Sequence, residues 1–359
     1  MNLKLSALLI VGVFTVAPTL ANASYTFTTY GNLGGIYGAA YGINSSGQLA
    51  GHSGGHATLW SGSTVTDLGT LGGSSSIAWA INDAGQVAGI SYTTSGNQHA
   101  TLWTGGTMTD LGTLGGNRSF AYGINKSAQV VGMSEINTYS SQTRATIWNN
   151  ATVSDLGSLA GSSWAYAIND MGVVTGWSEA NGGQHATIWN GTTITDLGTL
   201  GSGVDINNSG QVAGFALTNG TSVRRATIWD GNTVSDLGTL GGESVARAIN
   251  DSGMVVGWSR IGTSLTHGFL WDGTTMIDIN TLLDADSVSA GWVLTDATDI
   301  NDKGWIVGIA SNGLTGQAHA FQLTPVPEPE TYVMMLAGLG FMGWFTRKRR
   351  TTSDRVFRR

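Results

Sequence analysis

Cysteine is absent from this 359-residue chain, so neither disulfide nor thiolate chemistry is available to it. Proline occurs only four times, so little of the chain is barred from a sheet by a missing backbone N–H. The stretch from Ser24 to Thr324 holds eight Lys and Arg against twenty Asp and Glu, a net charge of −12. Nucleic acid is recognised mainly by basic side chains, so this acidity argues against it as a partner.

Glycine, in contrast, is abundant, and its 54 residues recur at fixed positions of an internal repeat. The segment from His56 to Gly73 reads HATLWSGSTVTDLGTLGG, and five further copies begin at His99, Arg144, His185, Arg225 and His267. A second phrase, Ile-Asn-x-x-Gly-x-Val-x-Gly, recurs with small changes between the copies. The step of about 42 residues lies in the range of propeller-blade repeats. Glycines at fixed positions indicate turns rather than disorder.

The HATLW segment predicts an outer β-hairpin. Asn-Gly or Asp-Gly follows three of its tryptophans, and such pairs favour a two-residue type I′ turn. With Ser61-Gly62 at the centre of the turn, the expected register places His56 opposite Asp67. Each copy has His or Arg eleven residues before an Asp, which predicts six cation–carboxylate pairs. A His–Asp pair also fits a general base or a metal ligand, but Arg replaces His in two copies, so we interpret the pairs as structural.

The Ile-Asn-x-x-Gly phrase predicts a second hairpin with a tight turn. Its Asn is expected to open the turn by bonding the nearby backbone, and its Gly to occupy the left-handed region, which a Cβ strains. Ala128 stands in place of this Gly in one of the seven copies. A calcium loop needs more oxygen ligands than Asn-x-x-Gly supplies, so we interpret the phrase as a turn.

The two ends of the repeat region are complementary. Tyr25–Gly35 matches the second half of the HATLW unit, and His319–Leu323 matches its first half, so Tyr25–Leu33 is expected to pair with His319–Leu323. With both halves counted, each of four strand types occurs seven times. We therefore predict an all-β fold: a seven-bladed β-propeller of four-stranded repeats, closed by the N-terminal strand. A β-solenoid is the second choice, and six or eight blades are the alternatives if a weak repeat is miscounted.

Binding residues are expected at the predicted innermost strands and in the variable links. The links Met133–Thr143 and Phe215–Arg224 are long, and variable loops on a rigid scaffold commonly carry binding sites. Aromatic residues on or beside the innermost strands can line a central channel and stack against sugars, or they can pack between blades. These candidate ligand-binding residues are Tyr41, Trp79, Tyr122, Trp164 and Tyr166.

One predicted crossing between blades is long and acidic. Asp284–Asp299 contains four Asp together with Trp292. It is either a cation site or a solvated acidic insertion, and we favour the insertion because the spacing matches no calcium loop. Further acids depart from the repeat and cannot be paired from the sequence: Glu135, Glu179, Asp205 and Glu243. The sequence indicates no catalytic residue, metal or cofactor.

Both termini differ from the repeats. The N-terminus has a basic residue, an apolar run and an Ala-Asn-Ala cleavage site, the pattern of a signal peptide. The C-terminal apolar stretch predicts a helix shorter than a ~30 Å hydrocarbon core, followed by a cationic end that stays cytoplasmic. The predicted domains are a signal peptide (1–23), the repeat propeller (24–324), a Pro-Glu-Pro linker (325–331), a transmembrane helix (332–346) and a basic tail (347–359).

Two family resemblances rest on these motifs. The His-Ala-Thr-x-Trp, Asp-Leu-Gly and Ile-Asn-x-x-Gly-x-Val-x-Gly phrases resemble the bacterial extracellular HAF-repeat family over Tyr25–Leu323. The tail, Val-Pro-Glu-Pro-Glu-Thr before an apolar segment and Arg-Lys-Arg-Arg, resembles the PEP-CTERM sorting signal. This second resemblance implies that an exosortase recognises Pro327, Glu328 and Pro329 and processes the tail. It also implies an association with Gram-negative bacteria that make exopolysaccharide and biofilm.

Together these features predict an exported, non-enzymatic surface or matrix protein that binds extracellular polysaccharide, or another surface ligand, through one propeller face. The expected partners are an exosortase-type enzyme, exopolysaccharide and the inner membrane, which would hold the C-terminal helix until processing releases the protein to the cell surface or medium. One alternative is a structural matrix or envelope component that acts through protein contacts. Another is a polysaccharide hydrolase or lyase, and a glycosidase would need two carboxylates across one bond.

Overall fold

A computed structural model describes residues 24–326 apart from residues 140, 151, 219 and 220. The predicted signal peptide, transmembrane helix and basic tail, and the motif residues Pro327, Glu328 and Pro329, lie outside the described residues. In the described part, no helix is long and apolar enough to cross a membrane. The all-β class predicted from the repeats is confirmed.

The strands follow the sequence repeats in order. The chain opens with β1 (Tyr25–Thr29), β2 (Gly38–Ile43), β3 (Leu49–Ser53), β4 (His56–Ser61), β5 (Thr64–Asp67), β6 (Gly72–Ile81), β7 (Val87–Thr93), β8 (Gln98–Thr104) and β9 (Thr107–Asp110). The middle contains β10 (Ser119–Ile124), β11 (Val130–Glu135), β12 (Thr143–Asn149), β13 (Thr152–Gly157), β14 (Ser163–Ile168), β15 (Val174–Ala180), β16 (Gly183–Asn190) and β17 (Thr193–Ile206).

The last third completes the series with ten strands and two short helices. The strands are β18 (Val212–Leu217), β19 (Arg224–Asp230), β20 (Thr233–Asp236), β21 (Ser244–Ile249), β22 (Val255–Ile261), β23 (Leu265–Trp271), β24 (Met276–Asp278), β25 (Trp292–Ile300), β26 (Ile306–Asn312) and β27 (Ala318–Pro325). A 3-10 helix at Ile279–Leu282 and α1 (Ala285–Ser289) precede β25. The predicted acidic crossing Asp284–Asp299 is therefore wrong as a single insertion, because its second half is the strand β25.

Each repeat folds into four antiparallel strands in chain order. The four-stranded sheets are β2 to β5, β6 to β9, β10 to β13 and β21 to β24. Strand β17 is long enough to end one repeat and begin the next, so β14 to β20 form one continuous seven-stranded sheet. The remaining sheet has the order β25-β26-β27-β1.

The N-terminal strand completes the last sheet, as the complementary ends predict. Strand β1 pairs antiparallel with β27, with Tyr25 opposite Pro325 and Thr29 opposite Phe321. The segment that pairs with β1 begins at Phe321, two residues after the start of the expected partner segment His319–Leu323. Tyr30 extends the pairing by donating its backbone N–H to the Ala320 carbonyl at 2.9 Å. The last repeat is thus built from both ends of the repeat region.

Successive sheets pack face to face, and the series closes on itself. The first strand of each sheet lies against the second strand of the preceding one: β6 on β3, β10 on β7, β14 on β11, β21 on β18, β25 on β22, and β2 on β26. Buried side chains fill these interfaces. Trp60 belongs to one cluster with Ile43 and Leu49 of its own sheet and with Val307 and Ala320 of the last sheet.

The Asn-x-x-Gly turns are confirmed. Asn44 shows the pattern: its side-chain oxygen accepts the backbone N–H of Ser46 at 3.2 Å and of Gln48 at 2.9 Å. Gly47, at the fourth turn position, has φ +84°, and Ala128 holds the equivalent position with φ +60°. The only other non-glycine residue with positive φ in the described chain is Asn150.

The outer hairpins differ from the predicted register by one position at the turn. Ser61 pairs with Thr64 and Thr58 with Asp67, so the central turn residues are Gly62 and Ser63 rather than Ser61 and Gly62. Only Gly62 of these two has positive φ, which is the pattern of a type II′ turn, whereas Gly105 and Gly106 of the next outer hairpin both have positive φ, the pattern of the predicted type I′ turn. The prediction that His56 lies directly opposite Asp67 is therefore wrong.

The six predicted cation–carboxylate pairs nevertheless form, as diagonal contacts. His56 Nδ1 lies 2.8 Å from Asp67 Oδ2, and Arg225 Nε lies 3.1 Å from Asp236 Oδ2. The strand after Asp67 shifts so that the Leu68 N–H bonds the Ala57 carbonyl, which brings the carboxylate back towards His56. The other pairs are His99–Asp110, Arg144–Asp155, His185–Asp196 and His267–Asp278.

Candidate functional site

Every innermost strand contains a β-bulge at the same repeat position, three residues before the turn Asn. In β2, for example, Ala40 pairs with Gly51 and Gly42 with Ala50, so Tyr41 is left without a partner residue. Gly51 faces the bulge, and a Cβ built on it would lie 1.9 Å from the Ala39 carbonyl oxygen. This contact explains the last glycine of the repeated phrase. A bulge re-aims the side chain of the unpaired residue.

The seven bulge residues line one central cavity of about 690 Å³. This volume falls within the range of about 300–1,000 Å³ that is typical of small-molecule sites. In ring order the bulge residues are Tyr41, Trp79, Tyr122, Tyr166, Val204, Arg247 and Thr298. The first four repeats therefore contribute aromatic side chains, and the last three contribute an aliphatic, a basic and a hydroxyl side chain.

The four aromatic bulge residues form a continuous aromatic arc, consisting of Tyr41, Trp79, Tyr122 and Tyr166. Ring centroids are 4.6 Å apart for Tyr41 and Trp79, 6.2 Å for Trp79 and Tyr122, and 5.3 Å for Tyr122 and Tyr166. All four side chains are half-buried, so their faces remain accessible from the cavity. Burial raises the pKa of Tyr41 and of Tyr122, so both hydroxyl groups stay protonated at neutral pH and can donate hydrogen bonds.

Trp164, the fifth aromatic candidate, does not line this cavity. Its ring stacks at 6.2 Å on Tyr122 and lies 5.4 Å from Trp177, and its Nε1 donates to Thr143 Oγ1 at 2.8 Å. It packs behind the aromatic arc. The structure thus brings four of the five predicted residues to one wall and gives the fifth a packing position.

An ion pair crosses the wall opposite the arc. Arg247 donates from Nη2 to Asp296 Oδ2 at 3.1 Å, joining the bulge of β21 to strand β25. Asp296 Oδ1 is buried and has no hydrogen-bond partner among the described residues. The Nε1 of Trp79 is also buried without a partner in the described chain. Both atoms are closed off from solvent, so neither is open to a molecule in the cavity.

Two further carboxylates occupy the residue after the bulge, where five repeats have Gly or Ala. Asp205 accepts the backbone N–H of Ile249 at 2.8 Å, and Asp299 accepts those of Ile43 and Ile300 at 2.8 Å each. Each carboxylate thus bonds the backbone of the next repeat around the ring. In the described chain, neither forms an ion pair.

Both carboxylates titrate far from their usual range. Burial raises the pKa of Asp205 to about 6, despite bonds from the Ile249 and Ile206 N–H groups that lower it. Burial, and then the negative charge of Asp205, raises the pKa of Asp299 to about 7. The two groups therefore interact electrically across the cavity, and both lie deep in the fold while keeping some solvent exposure from the cavity side.

A second, smaller cavity of about 280 Å³ lies on the side of the Asn turns and shares Asp205 and Asp299 with the first. Its wall includes all seven turn Asn residues. Each donates from Nδ2 to the backbone carbonyl of the Asn in the next repeat, at 3.1–3.2 Å, from Asn44 to Asn82 and so on around to Asn301, which donates back to Asn44.

The other acids singled out in the sequence are not in the cavity. Glu135 pairs with Arg118 at 2.6 Å, Glu243 pairs with Arg260 at 3.3 Å, and Glu179 accepts the Ser162 N–H at 2.8 Å. Asp284 caps α1 by accepting the Ser287 N–H. Within the described residues, no group of three or more His, Asp or Glu side chains is placed to hold a metal ion.

Sequence and structure comparisons bear on the tail and on the repeats separately. Residues 325–350 match the family model of the PEP-CTERM protein-sorting motif. This motif implies export, sorting to the cell surface or exterior, and an exosortase as the processing partner. No curated protein matches the chain.

Among solved structures, the chain is similar to TolB from Acinetobacter baumannii, with 11% sequence identity and a TM-score of 0.45. The match covers 68% of this chain and 64% of the TolB chain.

Proposed function

We propose that this protein is an exported, non-enzymatic glycan-binding protein, built as a seven-bladed β-propeller and processed at its PEP-CTERM tail. The cyclic series of seven four-stranded repeats supports the propeller, and the spelling of the repeats supports kinship with the HAF-repeat proteins. The sorting motif supports delivery to the cell exterior, and the PEP-CTERM resemblance implies a host that makes exopolysaccharide.

The observation that carries the binding role is the aromatic arc. Four consecutive repeats place Tyr41, Trp79, Tyr122 or Tyr166 at a bulge, which points the ring into the cavity. A structural role alone would not require an aromatic residue there, because Val204 and Thr298 occupy the same position in other repeats. Aromatic faces bury large apolar area while their polar edges bond hydroxyl groups, which suits the mixed surface of a sugar ring.

A hydrolase is the second candidate, since Asp205 and Asp299 face one cavity. A glycosidase needs one protonated and one ionised carboxyl group, and active sites achieve this by moving the two pKa values apart. Here burial raises the pKa of both groups, and both accept backbone N–H bonds that hold them against the wall.

The test is a glycan array probed with the full-length protein, followed by product analysis of every glycan bound. Trp79→Ala and Tyr122→Ala should each weaken binding by about tenfold or more, because each removes a stacking face. Tyr139→Ala, a matched change at a side chain that is 98% exposed and outside the cavity, should leave binding unchanged. Unchanged binding by Trp79→Ala would contradict the assigned site, and cleaved glycan would establish the hydrolase.

A further inference from the structure

The cavity wall opposite the aromatic arc carries carboxylates without a matching cation. Asp205 and Asp299 are held by backbone N–H groups only. Two guanidinium groups also line the cavity: Arg247 is committed to Asp296 at 3.1 Å, and Arg224 lies over the Phe215 ring at 5.4 Å. Buried carboxylates are normally paired with a cation or neutralised. These two groups therefore leave room in the cavity for a positive charge supplied by a ligand.

The approach to the carboxylates from the side of the Asn turns is also acidic. The smaller cavity, which shares Asp205 and Asp299, is lined by four further carboxylates and by Lys126 as its one basic lining residue. Lys126 is itself paired with one of them at 3.2 Å. A cavity lined by one sign of charge attracts the opposite sign and repels its own. The four carboxylates are those of Asp83, Asp170, Asp251 and Asp302.

We propose, resting on the glycan-binding function above, that the ligand is a glycan with free primary amino groups, one ammonium lying against Asp205 and Asp299 and the sugar faces against the aromatic arc. An ammonium has three N–H donors and no acceptor, which suits two carboxylates that already accept backbone N–H bonds. The aromatic faces attract the same cation.

The experiment compares three β-1,4-linked tetrasaccharides that differ only in the group at C2: glucosamine, N-acetylglucosamine and glucose. Titration calorimetry with the full-length protein near neutral pH and low salt should show glucosamine tetramer binding tighter than the other two by about tenfold or more. This advantage should shrink as salt is added, because screening weakens charge pairing at a solvent-connected site.

Two variants locate the charge recognition. Asp205→Asn and Asp299→Asn should each reduce the ratio of the affinity for the glucosamine tetramer to the affinity for the glucose tetramer. Glu243→Gln removes a carboxylate outside the cavity and should change neither affinity. If the Asn variants fail to fold, the three tetramers and the salt series on the unaltered protein still decide the question.

The outcomes separate this inference from the function on which it rests. Equal affinity for the three tetramers, with binding lost in Trp79→Ala, would overturn the amino-glycan assignment and leave glycan binding in place. A glucosamine preference that persists in both Asn variants would also overturn it. Failure to bind any glycan on the array would overturn both proposals.

Discussion

The side chain of Asn301 donates from Nδ2 to the backbone carbonyl of Asn44 at 3.1 Å, across 257 residues of sequence. Six bonds of the same kind join the other repeats, and this one closes the cycle. One amide side chain therefore performs two tasks. Its oxygen orders the turn in its own repeat, and its nitrogen fixes the position of the next repeat.

Asn301→Asp separates these two tasks. The carboxylate keeps an acceptor for the Lys303 and Trp305 N–H groups but loses the donor to Asn44. The Asn44 carbonyl still accepts the Gly47 N–H at 3.1 Å, so the variant loses one hydrogen bond worth about 0.5–1.5 kcal/mol, and the free energy of unfolding should fall by that amount in urea titrations. Asn137→Asp, which alters a half-buried loop Asn, is the control, and an equal loss there would show that the ring bond is not the cause.

Ala128→Gly should stabilise the protein. A left-handed conformation costs a non-glycine residue about 1–2 kcal/mol, and glycine's greater freedom in the unfolded chain offsets about 0.5–1 kcal/mol of the gain. We expect a net increase of roughly 0.5–1 kcal/mol in the free energy of unfolding.

Gly210→Ala is the matched opposite change. Gly210 has φ +84° and a Cβ there would meet no atom within 4 Å, so any loss reflects the backbone conformation alone. Stability should fall by about 0.5–1 kcal/mol. A melting temperature that moved the other way in either variant would show that the left-handed turn position is wrongly assigned.

Deleting the strand β1 should cause aggregation. The deletion exposes the backbone edge of β27 from Phe321 to Pro325, and an unpaired edge is a template for pairing with another chain. It also removes the contact of the Tyr30 hydroxyl with Gln322 if the cut extends to Tyr30. Light scattering on heating should rise earlier than in the intact protein. A deletion variant that stays monomeric with an unchanged melting temperature would contradict the structural role of this strand.

Stability should fall as the pH rises from about 5 to about 8. Asp205 and Asp299 have folded-state pKa values of about 6 and about 7, above the ~3.9 of an unfolded Asp. The folded state therefore binds more protons than the unfolded state in this window, and the free energy of unfolding decreases as those protons are lost. Asp67 and Asp272 have lowered pKa values, so their contribution to the free energy of unfolding is lost only when the pH falls below this window.

Asp299→Asn should flatten this pH profile. The variant also loses one acceptor for a backbone N–H, but that loss is independent of pH and leaves the slope unaffected. The measurement is the melting temperature at several pH values, with Glu243→Gln as a carboxylate-to-amide control outside the cavity. An unaltered slope in Asp299→Asn would contradict the raised pKa.

Protein isolated from its own host should lack the end from Arg347 to Arg359. The PEP-CTERM match at residues 325–350 implies processing by an exosortase, and intact-mass analysis measures it directly. Replacing Pro327, Glu328 and Pro329 with Ala should leave the end from Arg347 to Arg359 on the protein. Thr351→Ala, a change beyond the matched segment, should not prevent removal of this end. A native protein that still ends at Arg359 would show that the tail is retained.

Local sequence sufficed for the turns and the strands because their causes are local. Asn44 and Gly47 form their turn through bonds within five residues, and Ala128 adopts the left-handed φ that its place in the pattern predicts. The hairpin register was missed for an equally local reason. A dipeptide such as Ser61-Gly62 does not reveal whether its Gly is the first or the second central residue, and the structure makes Gly62 the first.

The cavity could be predicted only in part. The aromatic residues stood out in the sequence by their chemistry. Val204, Arg247 and Thr298 occupy the equivalent bulge position in three other repeats, but they are not aromatic. A bulge depends on how its strand pairs with the next strand and not on the type of the unpaired residue. The signal that could have identified these three residues was therefore their position in the aligned repeats.

The sequence by itself determined the repeat, its four strands, the conformation of the Asn-x-x-Gly turns and the complementarity of the two chain ends, since each depends on residues close together or on a periodic pattern. Only the tertiary structure decided which side chains meet. Asp205 and Asp299 come from different repeats and share a cavity because the bulged strands of all seven repeats line it. Their raised pKa values follow from that burial and proximity, which no local pattern encodes.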